Sequence, residues 1–153
     1  MTFRHGAPRR LLAATLCSLF LAAALCLPAT PARADFEAGA AAHAAGDYAL
    51  AAELWREAAE DGDPRAAVGM GDLFLNGDGV AWDPDEAAAW YRIAANQGHG
   101  RGLYMLGLLL AEGAGVDSDE AEAARLLEAA AGLGEGGAVY ALGVLYEEGR
   151  GVP

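Results

Sequence analysis

Residues 106–116 read LGLLLAEGAGV, and nearly the same phrase occurs twice more, as MGDLFLNGDGV at 70–80 and LGVLYEEGRGV at 142–152. The copies are 36 residues apart with no insertion, so Gly71, Gly107 and Gly143 share one register, as do Leu73, Leu109 and Leu145, and Gly79, Gly115 and Gly151. The stretch between the phrases repeats as well. Ala51, Ala87 and Ala123 align, then Trp55, Tyr91 and Leu127, then Ala58, Ala94 and Ala130, with Gly62, Gly98 and Gly134 closing each unit. A period of this length is the signature of a solenoid, in which each unit buries its apolar face only by stacking on the next.

Each unit holds two helical patterns. In AAVGMGDLFLNG, the residues Ala67, Met70, Gly71, Phe74 and Leu75 follow three-to-four spacing and form one stripe. Gly77 and Gly79 then end the helix, because glycine enters positive φ without a steric penalty. Asp83 is placed to cap the next helix, with Pro84 at its first position and Glu86 three residues after the cap, the spacing of a capping box; Asp119 and Glu122 repeat it. That second helix aligns Ala87, Trp90, Tyr91 and Ala94 on one face. The first unit is a variant: Phe36, Ala40 and Ala44 begin its stripe, and GDY at 46–48 replaces the longer glycine loop. The expected helices are 36–45, 47–61, 64–76, 83–97, 100–112, 119–133 and 136–148, giving an all-α, α/α superhelical solenoid. The last of them lacks its mate within the unit, so Tyr140, Leu142, Leu145 and Tyr146 cannot all be covered from one side. Either the array continues past Pro153 or this edge is covered by a partner or a second copy.

Ahead of the repeats, Arg4, Arg9 and Arg10 precede an apolar run from Leu11 to Leu27, and a small-residue site follows at Ala32 and Ala34. This is the layout of a cleavable signal peptide, residues 1–34; a retained anchor is the alternative, at the short end of a spanning length. Cys17 and Cys26 follow Leu16 and Leu25, which disfavours a lipoprotein. Removal of the leader takes both cysteines, leaving no thiol for a disulfide or a metal. Residues 35–153 then form the repeat domain, with a divergent unit at 35–65, units at 66–101 and 102–137 and a partial unit at 138–153. They carry six arginines, no lysine and all 22 acidic residues, a formal net charge of −16. Nucleic acids and anionic lipids are bound largely through Lys and Arg, so neither is an expected partner.

The phrase LGVLYEEGRGV, together with DxxEAxxWYRxAAxxG as it stands from Asp83 to Gly98, resembles Sel1-like repeats, a branch of the tetratricopeptide-like solenoids. The resemblance covers about residues 47–153. It implies packing and turn roles for Gly71, Gly77, Gly79, Ala87, Ala94, Ala95 and Gly98, and an adaptor or scaffold for other proteins. Exported members of this kind hold a membrane sensor inactive or assemble envelope components, so a periplasmic or secreted adaptor whose partner is another protein is the implied function. Cysteine-rich members are linked to penicillin binding or weak β-lactamase activity, so a cell-wall or β-lactam hydrolase is the alternative the resemblance implies, a poorer match because the processed chain lacks their paired cysteines; a structural fragment of a longer repeat scaffold is the other alternative.

Candidate chemistry is sparse. Outside the leader the chain has one serine, Ser118, and two histidines, His43 and His99, with no threonine; nucleophilic catalysis needs serine and histidine brought together. No pair of histidines stands at helical spacing for zinc, and NGDGV and WDPDE lack the EF-hand spacing. The expectation is therefore no catalytic residue, no cofactor and no metal. Candidate partner-binding residues are Trp82, which the repeat does not require because its counterpart is Ser118, and Arg101 and Tyr104 at the start of a first helix, the type that lines the concave side of such solenoids.

Overall fold

A computed structural model describes residues 31–151. It contains α1 (Pro31–Ala44), α2 (Tyr48–Glu60), α3 (Pro64–Asn76), α4 (Pro84–Asn96), α5 (Gly100–Glu112), α6 (Glu120–Gly132) and α7 (Gly136–Glu148). Among the described residues there is no strand, and no helix is long and apolar enough to cross a membrane. Of the expected leader, residues 1–34, the first 30 residues lie outside the described residues. Helix α1 starts at Pro31 rather than at 36, so the expected cleavage point after Ala34 falls in its first turn.

The helices pack as pairs, α1 with α2, α3 with α4 and α5 with α6, and the pairs stack through α2 on α3, α4 on α5 and α6 on α7. Direct contacts also join α3 to α5 and α5 to α7, so the first helices converge and form the inner side of the array. The sequence expectation of an all-α solenoid of paired helices holds.

One contact repeats in every complete pair. The buried Tyr91 ring of α4 lies where a Cβ on Gly71 of α3 would stand, 2.5 Å from Cε1. Leu127 of α6 occupies the same place beside Gly107 of α5, with Cγ 3.0 Å from the Cβ position. In the first pair Trp55 of α2 lies against Gly39 of α1, 2.5 Å from Cδ1 to that position, and its other edge lies 2.7 Å from the Cβ position of Gly69 on α3. A large side chain thus enters a notch left by a missing side chain, with alanines such as Ala87, Ala94, Ala123 and Ala130 buried on either side of it. The expected stripe of α1 is corrected accordingly: Gly39 and Ala42 are buried while Ala44 is exposed, because the first-unit loop is shorter than the others and shifts the notch relative to the 36-residue register.

The caps hold with one change. Asp47, Asp63, Asp83 and Asp119 each accept a backbone N–H of the following first turn. Glu86 and Glu122 do not close a capping box, because the amides they would reach are taken by the preceding helix: Asp83 N donates to Phe74 O at 3.0 Å and Asp119 N to Leu110 O at 3.1 Å. The second glycine of each loop ties successive units together. Gly79 packs on Tyr48, Gly115 on Pro84 and Gly151 on Glu120, each at the start of the previous unit's second helix.

Gly115 combines φ of +73° with a Cβ position overlapping Pro84 O, whereas Gly98, also at φ +73°, has no neighbour within 4 Å. Gly98→Ala should cost about 1–2 kcal/mol, the left-handed penalty alone. Gly115→Ala should cost clearly more, because the junction between units must also open. Urea titrations of the two variants check the order; equal losses would show that the junction is not tight.

Candidate functional site

The inner side carries a lane of polar links from helix to helix. Arg65 on α3 reaches back to Glu37 on α1 at 3.3 Å, to Asp63 at 2.6 Å, and lies 4.1 Å over the Phe36 ring. One unit on, Arg101 of α5 reaches back to Asp72 of α3 at 3.0 Å, and the other oxygen of that carboxylate accepts the Tyr91 hydroxyl at 2.6 Å. Burial and the Asp72 carboxylate both push the Tyr91 phenol above its ordinary range, so it stays a neutral donor. Burial alone would raise the Asp63 carboxyl, but the Arg65 guanidinium and the backbone amides it accepts hold it below its usual 3.8.

At the third step the lane changes character. The position equivalent to Arg65 and Arg101 is Gly137, and Tyr104 of α5 leans into it, its hydroxyl 2.9 Å from where a Cβ would stand. Beyond it lies an open cavity of about 270 Å³ between α5 and α7, lined by Tyr104, Leu108, Tyr140, Val144 and, at its end, Arg150. Tyr104 is half-buried, but Tyr140, one unit later in the same register, is 77% exposed. Arg150 is fixed at the cavity end by Glu120 at 2.6 Å, Glu148 at 3.0 Å and the Ala111 carbonyl at 2.6 Å. This groove, mostly apolar with aromatic walls and one anchored cation, is the candidate site.

Of the residues singled out in the sequence, Arg101 and Tyr104 both stand on α5, one turn apart: Arg101 faces Asp72 and Tyr104 walls the groove. Trp82 is not brought to them. It projects from the α3–α4 loop, 66% exposed, with its Cβ side over Gly77. Tyr140 was seen in the sequence only as a side chain needing cover; its 36-residue alignment with Tyr104 was the signal for a shared wall.

Ser118 lies in a separate open depression of about 490 Å³ with Arg92, Leu106, Leu110, Asp117, Asp119 and Glu122, and no histidine is among the lining residues. His43 lies instead against Tyr48 and Trp55, and His99 stands at the α5 N-cap without a side-chain capping bond. Among the described residues no group of three or more His, Cys, Asp or Glu side chains is gathered to hold a metal ion.

The notched helix pairs and the loop glycines are the framework of a known repeat. The Sel1 repeat model matches residues 38–63, 64–99, 100–135 and 137–153. The chain belongs to the Sel1 repeat family. Among solved structures it is similar to c5321, a protective antigen present in uropathogenic Escherichia coli strains that displays an SLR fold, with 33% identity and a TM-score of 0.73 over 79% of this chain. It is also similar to a Sel1 repeat protein from Oxalobacter formigenes, with 32% identity and a TM-score of 0.66 over 69% of this chain. The match spans 27% of the first protein and 44% of the second. Helicobacter pylori cysteine rich protein B shares the fold at 21% identity and a TM-score of 0.58, matched over 75% of this chain and 98% of its own length. No match emerges among curated proteins.

Two measurements test the lane. Tyr91→Phe should cost about 1–2 kcal/mol, the loss of a hydrogen bond to a carboxylate, while Arg101→Ala, at a largely exposed pair, should cost less than about 1 kcal/mol. The Asp63 contribution, from a carboxyl whose folded pKa is depressed, is present above pH 3.8 and lost as pH falls through the lower folded value. Stability measured against pH for the wild type and Asp63→Asn should therefore converge as pH falls below about 3.8.

Proposed function

We propose that this protein is an exported adaptor that holds a segment of another envelope protein in the groove between α5 and α7, in signalling or assembly, by surface complementarity and with no bond made or broken. Sel1 repeat proteins generally mediate protein–protein interactions. The observation that carries the reading for this chain is Tyr140, a large aromatic left mostly exposed beside half-buried Tyr104 over an apolar groove. Tyr is among the residues enriched where binding energy concentrates in protein interfaces, and Arg150, already held by Glu120 and Glu148, closes the end of the groove as a fixed wall. The basic, apolar and small-residue order of residues 1–34 supports export.

A photo-crosslinking amino acid placed at Tyr140 in exported protein should capture a reproducible partner, and the same group at Ile93, exposed on α4, should not. Tyr104→Ala should weaken the capture and Trp82→Ala should leave it. Equal capture from both positions would refute the groove. Recovery of the exported chain with residues 11–27 still attached would refute processing.

A further inference from the structure

We infer that the depression between α4 and α6 is a binding site for a ligand that carries a carboxylate and an ammonium group at the two ends of a short alkyl stem, the chemistry of a lysine with its carboxylate free. The site shares no lining residue with the α5–α7 groove and does not rest on the adaptor reading of that groove.

The depression, of about 490 Å³, is floored by Leu106 and Leu110 of α5, both buried, with Val116 beside them. Arg92 borders it from α4, and Asp117, Ser118 and Glu122 border it from the α5–α6 loop and α6. Both flanking helices are packed on either side, α4 on α3 and α5, α6 on α5 and α7, so the space belongs to the body of the array. Its lining matches in kind the residues one unit earlier, as with Arg56 for Arg92 and Met70 for Leu106, except at two places. Asp117 and Ser118 stand where the preceding loop has Ala81 and Trp82. The two departures take away an indole and add a carboxylate.

These polar groups hold no part of the fold together. Among the described residues the side chains of Arg92, Asp117 and Ser118 make no hydrogen bond or ion pair, whereas Asp119 caps α6 and Glu122 pairs with Arg125. Arg92 and Asp117 thus present opposite charges that do not reach each other over an apolar floor. An anion alone would meet Asp117 with like charge, and a cation alone would meet Arg92. A ligand bearing both charges suits both walls. Its carboxylate takes the planar fork of the Arg92 guanidinium, its ammonium lies by Asp117 and the Ser118 hydroxyl, and its stem covers Leu106 and Leu110. The volume is that of a small-ligand site, which commonly spans about 300–1,000 Å³. A metal ion does not suit it, since among the described residues no three His, Cys, Asp or Glu side chains gather to hold one.

The probe is 6-aminohexanoate, titrated into the protein at low salt and followed through the amide shifts of Asp117 and Ser118. Saturable binding is expected, with hexanoate and hexylammonium, which each lack one charge, weaker by at least about tenfold. Arg92→Gln should remove the preference over hexylammonium and keep the preference over hexanoate; Asp117→Asn should do the reverse. A residue that only shaped the fold would not exchange the two preferences. Ser118→Trp installs the residue of the preceding loop, where Trp82 Cβ lies 3.4 Å from the Cβ position of Gly77 much as Ser118 Cβ lies 3.3 Å from that of Gly113. That variant should keep its melting temperature and lose binding. Nα-acetyl-lysine, which imitates a chain ending in lysine, compared with free lysine, which adds an ammonium beside Arg92, separates the two sources of this chemistry. No saturable binding, equal affinity for all three probes, unchanged preferences in the charge variants or full binding by Ser118→Trp would each overturn the site. Tyr140→Ala should leave binding unchanged, so the groove and this site can fail separately.

Discussion

The fold depends on a contact between something large and something missing. Side chains the size of Trp55, Tyr91 and Leu127 cannot be buried between helices of thirteen residues unless the facing helix yields room, and Gly39, Gly71 and Gly107 yield it by having no Cβ. The surrounding alanines let the backbones close around the knob, so a single side chain supplies much of the dense packing each pair possesses. Glycine within a helix costs roughly 0.5–1 kcal/mol relative to alanine, which is less than full burial of one such knob contributes. The composition, rich in Ala and Gly, follows from this geometry more than from helix propensity.

Stacking the pairs calls for a second close approach. Each unit's loop presses a glycine onto the first residues of the previous unit's second helix, and on the inner side Arg65 and Arg101 reach back across the same junctions. The loop contacts fix how far successive units can separate on one side, and the arginine links tie the first helices on the other. Where the arginine is replaced by Gly137, the link is lost and Tyr104 moves into the space. The groove follows two changes in the register, Gly137 in place of the arginine and Leu108 in place of its acceptor Asp72.

The helices were legible because a 36-residue repeat provides three copies of the main signals: caps at Asp47, Asp83 and Asp119, stops at Gly77, Gly113 and Gly149, and one apolar stripe per helix. The notch in the first pair was not, since the short loop displaces Gly39 from the register and Asp35 stands where the repeat would put the glycine. The capping boxes were misread for a tertiary reason. Local spacing offered Glu86 to the amide of Asp83, but the Phe74 carbonyl is nearer in the fold and far in the chain. The Arg101–Asp72–Tyr91 link joins three helices across 29 residues, and its acceptor Asp72, which aligns with Leu108, leaves no periodic trace. Trp82 stood out for breaking the repeat; Tyr140, which obeys it, walls the groove.

In a stack of this kind each unit is stabilised by its neighbours, so the two ends of the described array differ in kind. At the first pair, Trp55 is clamped between Gly39 and Gly69 and covered by Phe36 and His43, while Arg65 closes over Phe36. At the other end, among the described residues, α7 buries Ala138 and Leu145 and packs on α6 and α5. A helix held by so few buried side chains opens at a lower free energy than the body of the array. The groove is walled on one side by this same helix. A segment bound in the groove binds α7 only in its folded place, and therefore stabilises that helix by mass action. The affinity of the groove is thus tied to the order of α7, and it falls in proportion to the fraction of molecules in which that helix is released.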